Sequence, residues 1–435
     1  MRTRREFLKS SAFTTAASIA GVAGAPQFAF GQSSNGKTLI KVFMRGGADG
    51  LHLFPPTIDP FYREYRPNLA IEEPNQQDSY TAVDLGHSYR ALNPNLELLK
   101  EIWDDGRLMI APATALPEGN RSHFDNQRWI GTGAQDNYID GYLNRYMQLV
   151  PGVEHSLRGA ILGKTSRSRE ISGEVTIPAI SGEGGFDVSN RWFCTDPTSG
   201  ACAEHELTEY MRGFGTTEVN GSPMEQYIRD NQFSTVEAID EVAGAESSYT
   251  LSGAAVAQGL DYSETQTGRG LKVAAQLLKG NVPLEVACID WNVGWDSHSN
   301  QITSATANDR FVNADLQTGA RDFLTFYKDL GELIDDVVVI VGTEFGRTVL
   351  ENGSLGTDHG HGGPWFAFGG PTNKIMADDV SSLEMNGLLL NRYIPTVTNY
   401  RDILGEIMIR HMGMSDTLVD SIFPGHDFTD LGLFA

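Results

Sequence analysis

The chain has 435 residues, with 33 basic against 56 acidic side chains, a net charge of −23 and 40% hydrophobic residues. So acidic a surface repels nucleic acid and other polyanions unless a local cation inverts the field, so a nucleic-acid partner is not expected. About 400 residues beyond the N-terminal segment are enough for one large α/β core or two unequal domains, and no later run approaches ~18 uninterrupted apolar residues, so no stable membrane span is expected after it.

The N-terminus reads as an export signal. Thr3-Arg4-Arg5-Glu6-Phe7-Leu8-Lys9 precedes an Ala/Thr/Ser-rich, mildly apolar run to about Ala25, the order that the twin-arginine translocase recognises. Small residues at Ala29 and Gly31 favour cleavage before Gln32, giving a signal peptide over 1–31 and an exported domain over 32–435, periplasmic or secreted. Removing 1–31 takes four basic residues and one acidic with it, leaving 29 − 55 = −26.

From there, strand-like and helical patterns alternate as in α/β proteins. A strand over Leu39–Met44 runs into Arg45-Gly46-Gly47-Ala48-Asp49-Gly50, where glycines bring Asp49 and backbone amides close to a ligand or simply make a turn. A helix near Asn95–Asp104 and a strand over Leu108–Ala111 lead to Asn120-Arg121-Ser122-His123-Phe124-Asp125-Asn126-Gln127. Ser122 there is either an ordinary N-cap of a helix around Asp125–Ile130 or a hydroxyl activated by metal and helix dipole. After Tyr142–Leu149 the pattern blurs: about 165–265 is rich in Gly, Ser, Thr and Glu, with one helix at Met224–Ala243, and reads as an insertion or cap. Cys194 and Cys202, eight apart in a loop, are a candidate disulfide in an oxidising compartment.

The rhythm resumes with a helix over Leu271–Leu278 and a strand over Leu284–Ile289, in which Cys288 reads as a buried small hydrophobe. The loop that follows carries Asp296 and His298; two residues apart in extended backbone, they point the same way and make a half-site for zinc, manganese or iron. A helix over Asp315–Leu333 precedes the β-branched strand Val337–Val341, after which Gly342 and Gly346 allow a sharp turn around Glu344. That position, just past a strand's carboxyl end, is where open α/β sheets hold ligands. Asp358, His359 and His361 follow in a glycine-rich loop that reads as a metal site, and Arg347 either holds a substrate oxyanion or pairs with Glu351. A strand at Trp365–Phe368 and a helix at Tyr400–Met412 close the chain.

Arg-Gly-Gly-Ala-Asp-Gly-Leu, Arg-Ser-His-Phe-Asp-Asn-Gln, Gly-Trp-Asp-Ser-His-Ser-Asn-Gln, and Glu-Phe-Gly-Arg-Thr with Gly-Thr-Asp-His-Gly-His-Gly together resemble the domain-of-unknown-function 1501 proteins. Their order is similar, more distantly, to that of the alkaline phosphatase and sulfatase superfamily. The resemblance implies a three-layer α/β/α sandwich with a mostly parallel central sheet, and an exported hydrolase of phosphate or sulfate esters with one or two divalent ions (zinc, manganese, iron, calcium or magnesium). Asp49, Asp296, His298, Glu344, Asp358, His359 and His361 would supply metal ligands, Ser122 the nucleophile, and Arg121 or Arg347 the charge facing an anionic ester. Phe345 stands where that superfamily has a ligating histidine, which points to a single-metal or altered site unless Asp358, His123 or His361 takes its place. The formylglycine signature of sulfatases is missing. The same fold with a degraded site would be a non-catalytic exported metal-binding or polysaccharide-associated protein.

Overall fold

The structure, a computed structural model, describes residues 36–76, 80–135, 139–152, 155, 157–164, 168–182, 237–302 and 313–435. Its centre is one sheet built from β1 (Thr38–Met44), β2 (Leu108–Ala115), β3 (Gly159–Leu162), β4 (Ala179–Ile180), β5 (Val286–Asp290), β6 (Val337–Thr343), β7 (Gly363–Gly369), β8 (Ile375–Met376) and β9 (Thr398–Asn399). The order is β4-β3-β5-β1-β6-β7-β2-β8, with β9 also on β2. Every pairing is parallel except those of β7, which is antiparallel to both β6 and β2.

The β-branched central strands are buried along their whole length because helices cover both faces. Alternation along each strand sorts the side chains into two cores. Ile40, Val42, Val339, Val341, Phe366 and Phe368 face helices α1 (Leu99–Asp104), α4 (Gln266–Lys279) and α5 (Asn313–Leu330). Leu39, Phe43, Val338, Ile340 and Trp365 face α2 (His123–Thr132), α3 (Tyr142–Leu149) and α6 (Tyr400–Arg410). The result is a three-layer α/β/α sandwich with a mostly parallel sheet, as expected. No helix among the described residues is long and apolar enough to cross a membrane.

Short strands escaped the sequence pattern: β3, β4, β8 and β9 have two to four residues each, too few for alternation to register. Where it is described, the segment from about 165 to 265 packs on the main body: Ile180, Ala238, Val242, Ala255 and Leu260 all join the first core. Cys194, Cys202 and the start of the helix expected at Met224 lie outside the described residues, as does the N-terminal signal. Cys288 is free and buried, and burial pushes its thiol well above the usual range.

Gly342 and Gly346 serve a different purpose from the one expected. Neither has a positive φ. A Cβ on Gly342 would lie 2.3 Å from the Trp365 ring, and one on Gly346 would lie 2.0 Å from the Gly362 carbonyl oxygen. These glycines let β6 and the loop after it approach β7 closely; no sharp turn requires them.

Candidate metal centre

Because β1, β2, β5 and β6 run parallel, their carboxyl ends share one edge of the sheet, and the antiparallel β7 begins at that same edge. The loops after β2, β5 and β6 therefore meet there. Nε2 of His359 lies 3.0 Å from Nε2 of His123, 3.0 Å from Nε2 of His298 and 3.0 Å from Oδ1 of Asp296. The same Asp296 oxygen is 3.1 Å from His298 Nε2 and 3.4 Å from His123 Nε2. His123, Asp296 and His359 alone offer three ligand atoms within 4.8 Å of one another.

The far side of each ring explains why these atoms suit a cation. Nδ1 of His123 faces Glu344 Oε1 at 2.8 Å, Nδ1 of His298 faces Asp358 Oδ1 at 3.2 Å, and Nδ1 of His359 faces the Arg121 carbonyl at 2.9 Å. All three partners only accept, so each Nδ1 carries a proton, and in the neutral ring each Nε2 presents a lone pair inward. Three lone pairs and a carboxylate oxygen crowded together repel one another; an ion among them turns each into a ligand. Carboxylates and carbonyls behind ligating histidines are the usual second layer of metal sites. The residues therefore fit a metal ion that His123, Asp296 and His359 could hold, with His298 Nε2 beside two of them as a further candidate ligand.

The residues expected from the sequence separate into three groups. Asp296, His298 and His359 supply inward-facing atoms. Glu344 and Asp358 stand one step back, behind His123 and His298. Glu344 is fully buried, and its Oε1 also accepts from Gly46 N at 2.8 Å and Gln127 Nε2 at 2.9 Å, which leaves it orienting His123 and not ligating. Asp49 and His361 are engaged elsewhere, and Arg347 reaches the centre through Asp296 Oδ1. Asp49 caps the short helix Gly50–Leu53, and its oxygens accept from Arg66 Nη1 at 2.7 Å and Nη2 at 3.1 Å and from Gln301 Nε2 at 2.6 Å. His361 is buried, its Nδ1 2.9 Å from Thr396 Oγ1.

Arg347 is not paired with Glu351, and its side chain is buried. It donates to the carbonyls of Gly46, Gly47, Trp295 and Thr357 and, at 2.7 Å, to Asp296 Oδ1, tying three loops together. Glu351 instead accepts from the amides of Asn68 and Leu69. Ser122 is the N-cap of α2, its hydroxyl accepting a long 3.4 Å bond from Asp125 N, and the adjacent Arg121 stacks on the Tyr393 ring with 4.9 Å to the centroid. The Phe345 ring sits 4.8 Å from that of His123 and 5.0 Å from that of His359, a wall of the centre.

Sequence reasoning gave His123 only a substitute's part and passed over Gln127. Their spacing held a signal: at i and i+4 on α2 they share a face, and both reach Glu344 Oε1.

Charge is distributed to match. Desolvation alone would raise the Asp296 carboxyl, but the hydrogen bond and charge of Arg347 outweigh it and hold it down at about 2. Burial likewise opposes ionisation of Glu344, yet the bonds from His123, Gln127 and Gly46 keep its carboxyl below the usual range. The hydrogen bond to Glu344 in turn raises His123, whereas desolvation lowers His359.

These features define an α/β protein with a candidate metal centre at the carboxyl edge of its sheet. Residues 245–376, which include Asp296, His298, Glu344, Asp358 and His359, match the family model described as "Protein of unknown function (DUF1501)". Solved structures similar to the chain include the following three. The lipoteichoic acid synthase LtaP from Listeria monocytogenes is 10% identical, with 96% of this chain and 80% of that one covered and a TM-score of 0.40. A protein in the alkaline phosphatase superfamily from Vibrio parahaemolyticus is 8% identical, with 85% and 71% covered and a TM-score of 0.33. The phosphonate monoester hydrolase of Agrobacterium radiobacter is 10% identical, with 90% and 78% covered and a TM-score of 0.30. No curated protein matches the chain in sequence.

Proposed function

We propose that the chain is an exported, metal-dependent hydrolase of phosphate or sulfate esters with Ser122 as its nucleophile. The observation that carries this reading is the convergence of three imidazole Nε2 atoms on Asp296 Oδ1, each ring backed by an acceptor. Three nitrogens and one oxygen suit zinc, manganese or iron, whereas calcium and magnesium favour all-oxygen shells. When bound, such an ion supplies Lewis acidity and positive charge that an acidic protein otherwise lacks at an anionic ester.

Ser122 immediately precedes His123 and stands at the N-terminus of α2, where the helix dipole favours a developing alkoxide. Its Oγ attacks phosphorus or sulfur, the bond to the leaving alcohol breaks, and the serine proton ends on that alcohol. Water then cleaves the serine ester, releasing phosphate or sulfate and restoring the hydroxyl. Of the two arginines expected to face the ester, Arg347 is buried against carbonyls and Asp296, whereas Arg121 is exposed beside Ser122. Export rests on residues 3–9: replacing Arg4 and Arg5 by lysine stops accumulation outside the cytoplasm if the translocase reads that pair, and unchanged export of the double variant would sink this part of the reading.

The engagement of Asp49 and Arg347 in structural bonds favours a second reading, a metal-binding protein without turnover. Elemental analysis followed by assays with 4-nitrophenyl phosphate and 4-nitrophenyl sulfate separates the two. Bound metal with turnover that Ser122→Ala abolishes, metal being retained, supports the hydrolase. Bound metal without hydrolysis of either ester supports the binding protein, and absence of metal after reconstitution removes both.

A further inference from the structure

The rim of the centre holds a pair of arginines in a chain whose acidic residues greatly outnumber its basic ones. Arg121 and Arg392 both lie against one ring, that of Tyr393, with their guanidinium carbons 4.9 and 5.6 Å from its centroid. Most buried arginines here are consumed by carboxylates, as Arg66 is by Asp49 and Arg90 by Asp379. Arg121 is exposed, and among the described residues its guanidinium has no hydrogen-bond or ion-pair partner. Arg392 is half-exposed and gives one nitrogen to Asp358 Oδ2 at 3.1 Å, with no other hydrogen-bond partner for its guanidinium among the described residues.

Both arginines are tied to the centre by different bonds. The Arg121 carbonyl accepts from His359 Nδ1, and the Asp358 carboxylate that Arg392 meets also holds His298 Nδ1. Tyr393 is itself fixed, buried and bridged to Thr348, while Val349 N donates to the Arg392 carbonyl. Stacking on a fixed ring pre-orients a guanidinium and leaves its N–H edge pointing to solvent, the arrangement that binds phosphate or sulfate in a fork.

We infer that Arg121, Arg392 and Tyr393 form an anion subsite beside the metal centre that selects ligands carrying a second negative group outside the scissile ester. The substrate class named here rests on the hydrolase reading; the subsite itself does not. The centre takes the first phosphate or sulfate, and the arginine pair takes the second across the rim.

Calorimetry on the metal-loaded protein tests this with fructose 1,6-bisphosphate against fructose 6-phosphate, and glucosamine 2,6-disulfate against glucosamine 6-sulfate, the two pairs separating phosphate from sulfate. The bis-anion of at least one pair is expected to bind about tenfold more tightly or better, the scale of one charge-assisted hydrogen bond. Arg121→Ala and Arg392→Ala each erase most of that preference with metal content unchanged, and Arg121→Lys restores only part of it. Equal binding of mono- and bis-anions by the wild-type protein overturns the inference, as does a preference that survives in both alanine variants or disappears only along with the metal. Absence of hydrolysis together with an intact, arginine-dependent preference sinks the hydrolase reading and leaves the subsite standing.

Discussion

His298 Nε2 and His359 Nε2 stand 3.0 Å apart, although the Nδ1 of each is turned to an acceptor, Asp358 and the Arg121 carbonyl respectively. Two imidazole lone pairs at that distance repel unless a cation lies against both. His298→Ala is therefore expected to lower bound metal sharply while leaving the melting midpoint of the metal-free protein in place, since the His298 side chain is half-exposed and the core strands do not touch it. Elemental analysis and thermal melting check this together. Normal metal in a protein that melts much earlier would make His298 structural.

Glu344 should matter to the metal without touching it. It accepts from His123 Nδ1 and fixes which nitrogen of that ring faces inward. Glu344→Gln is expected to weaken metal binding by about 10- to 100-fold, the usual cost of losing such a partner. Competition with a chelator of known affinity measures it, and an unchanged constant would show that His123 needs no help from Glu344.

Asp49 should behave in the opposite way. Desolvation raises its carboxyl, but the Arg66 guanidinium outweighs that and holds it below the usual range, so the pair is ionised and buried. Asp49→Ala leaves Arg66 buried without a counter-charge and is expected to cost about 3–5 kcal/mol, with bound metal unaltered. Denaturant unfolding of the two proteins gives the energy; a loss of metal at unchanged stability would return Asp49 to the centre.

His411 gives the fold an acid-sensitive point far from the site's chemistry. It is buried, its Nε2 3.0 Å from the Thr38 carbonyl, its Nδ1 without a partner among the described residues, and desolvation lowers its pKa to about 4 from 6.5. A histidine kept neutral in the fold binds its proton first in the unfolded chain. Its contribution is thus fully present above pH 6.5 and is lost as pH falls from there towards 4, by at most on the order of 3 kcal/mol. His411→Gln should flatten the rise of stability with pH across that window. An unchanged slope would mean that other groups carry it.

Much of the architecture was legible from residue order alone. The run Val337–Val341 could only be a strand covered on both faces, and the alternation of such runs with helical segments specified an α/β sandwich. Loops past strand ends in which Asp296, His298 and His359 cluster pointed to the carboxyl edge of the sheet, because parallel strands bring their carboxyl ends together whatever their order. What residue order could not decide was which polar atoms face each other. His123 lies 173 residues before Asp296 and meets it only because the sheet order β5-β1-β6-β7-β2 puts the loops after β2 and β5 on one edge. The roles of Glu344, Asp49 and Arg347 turned on other partners: His123, 221 residues away, Arg66, 17 residues away, and a set of carbonyls from three loops. A carboxylate becomes a ligand, an orienting acceptor or half of a buried ion pair according to differences of a few ångströms in where its neighbours' donors fall, and only the packed sheet fixes those distances.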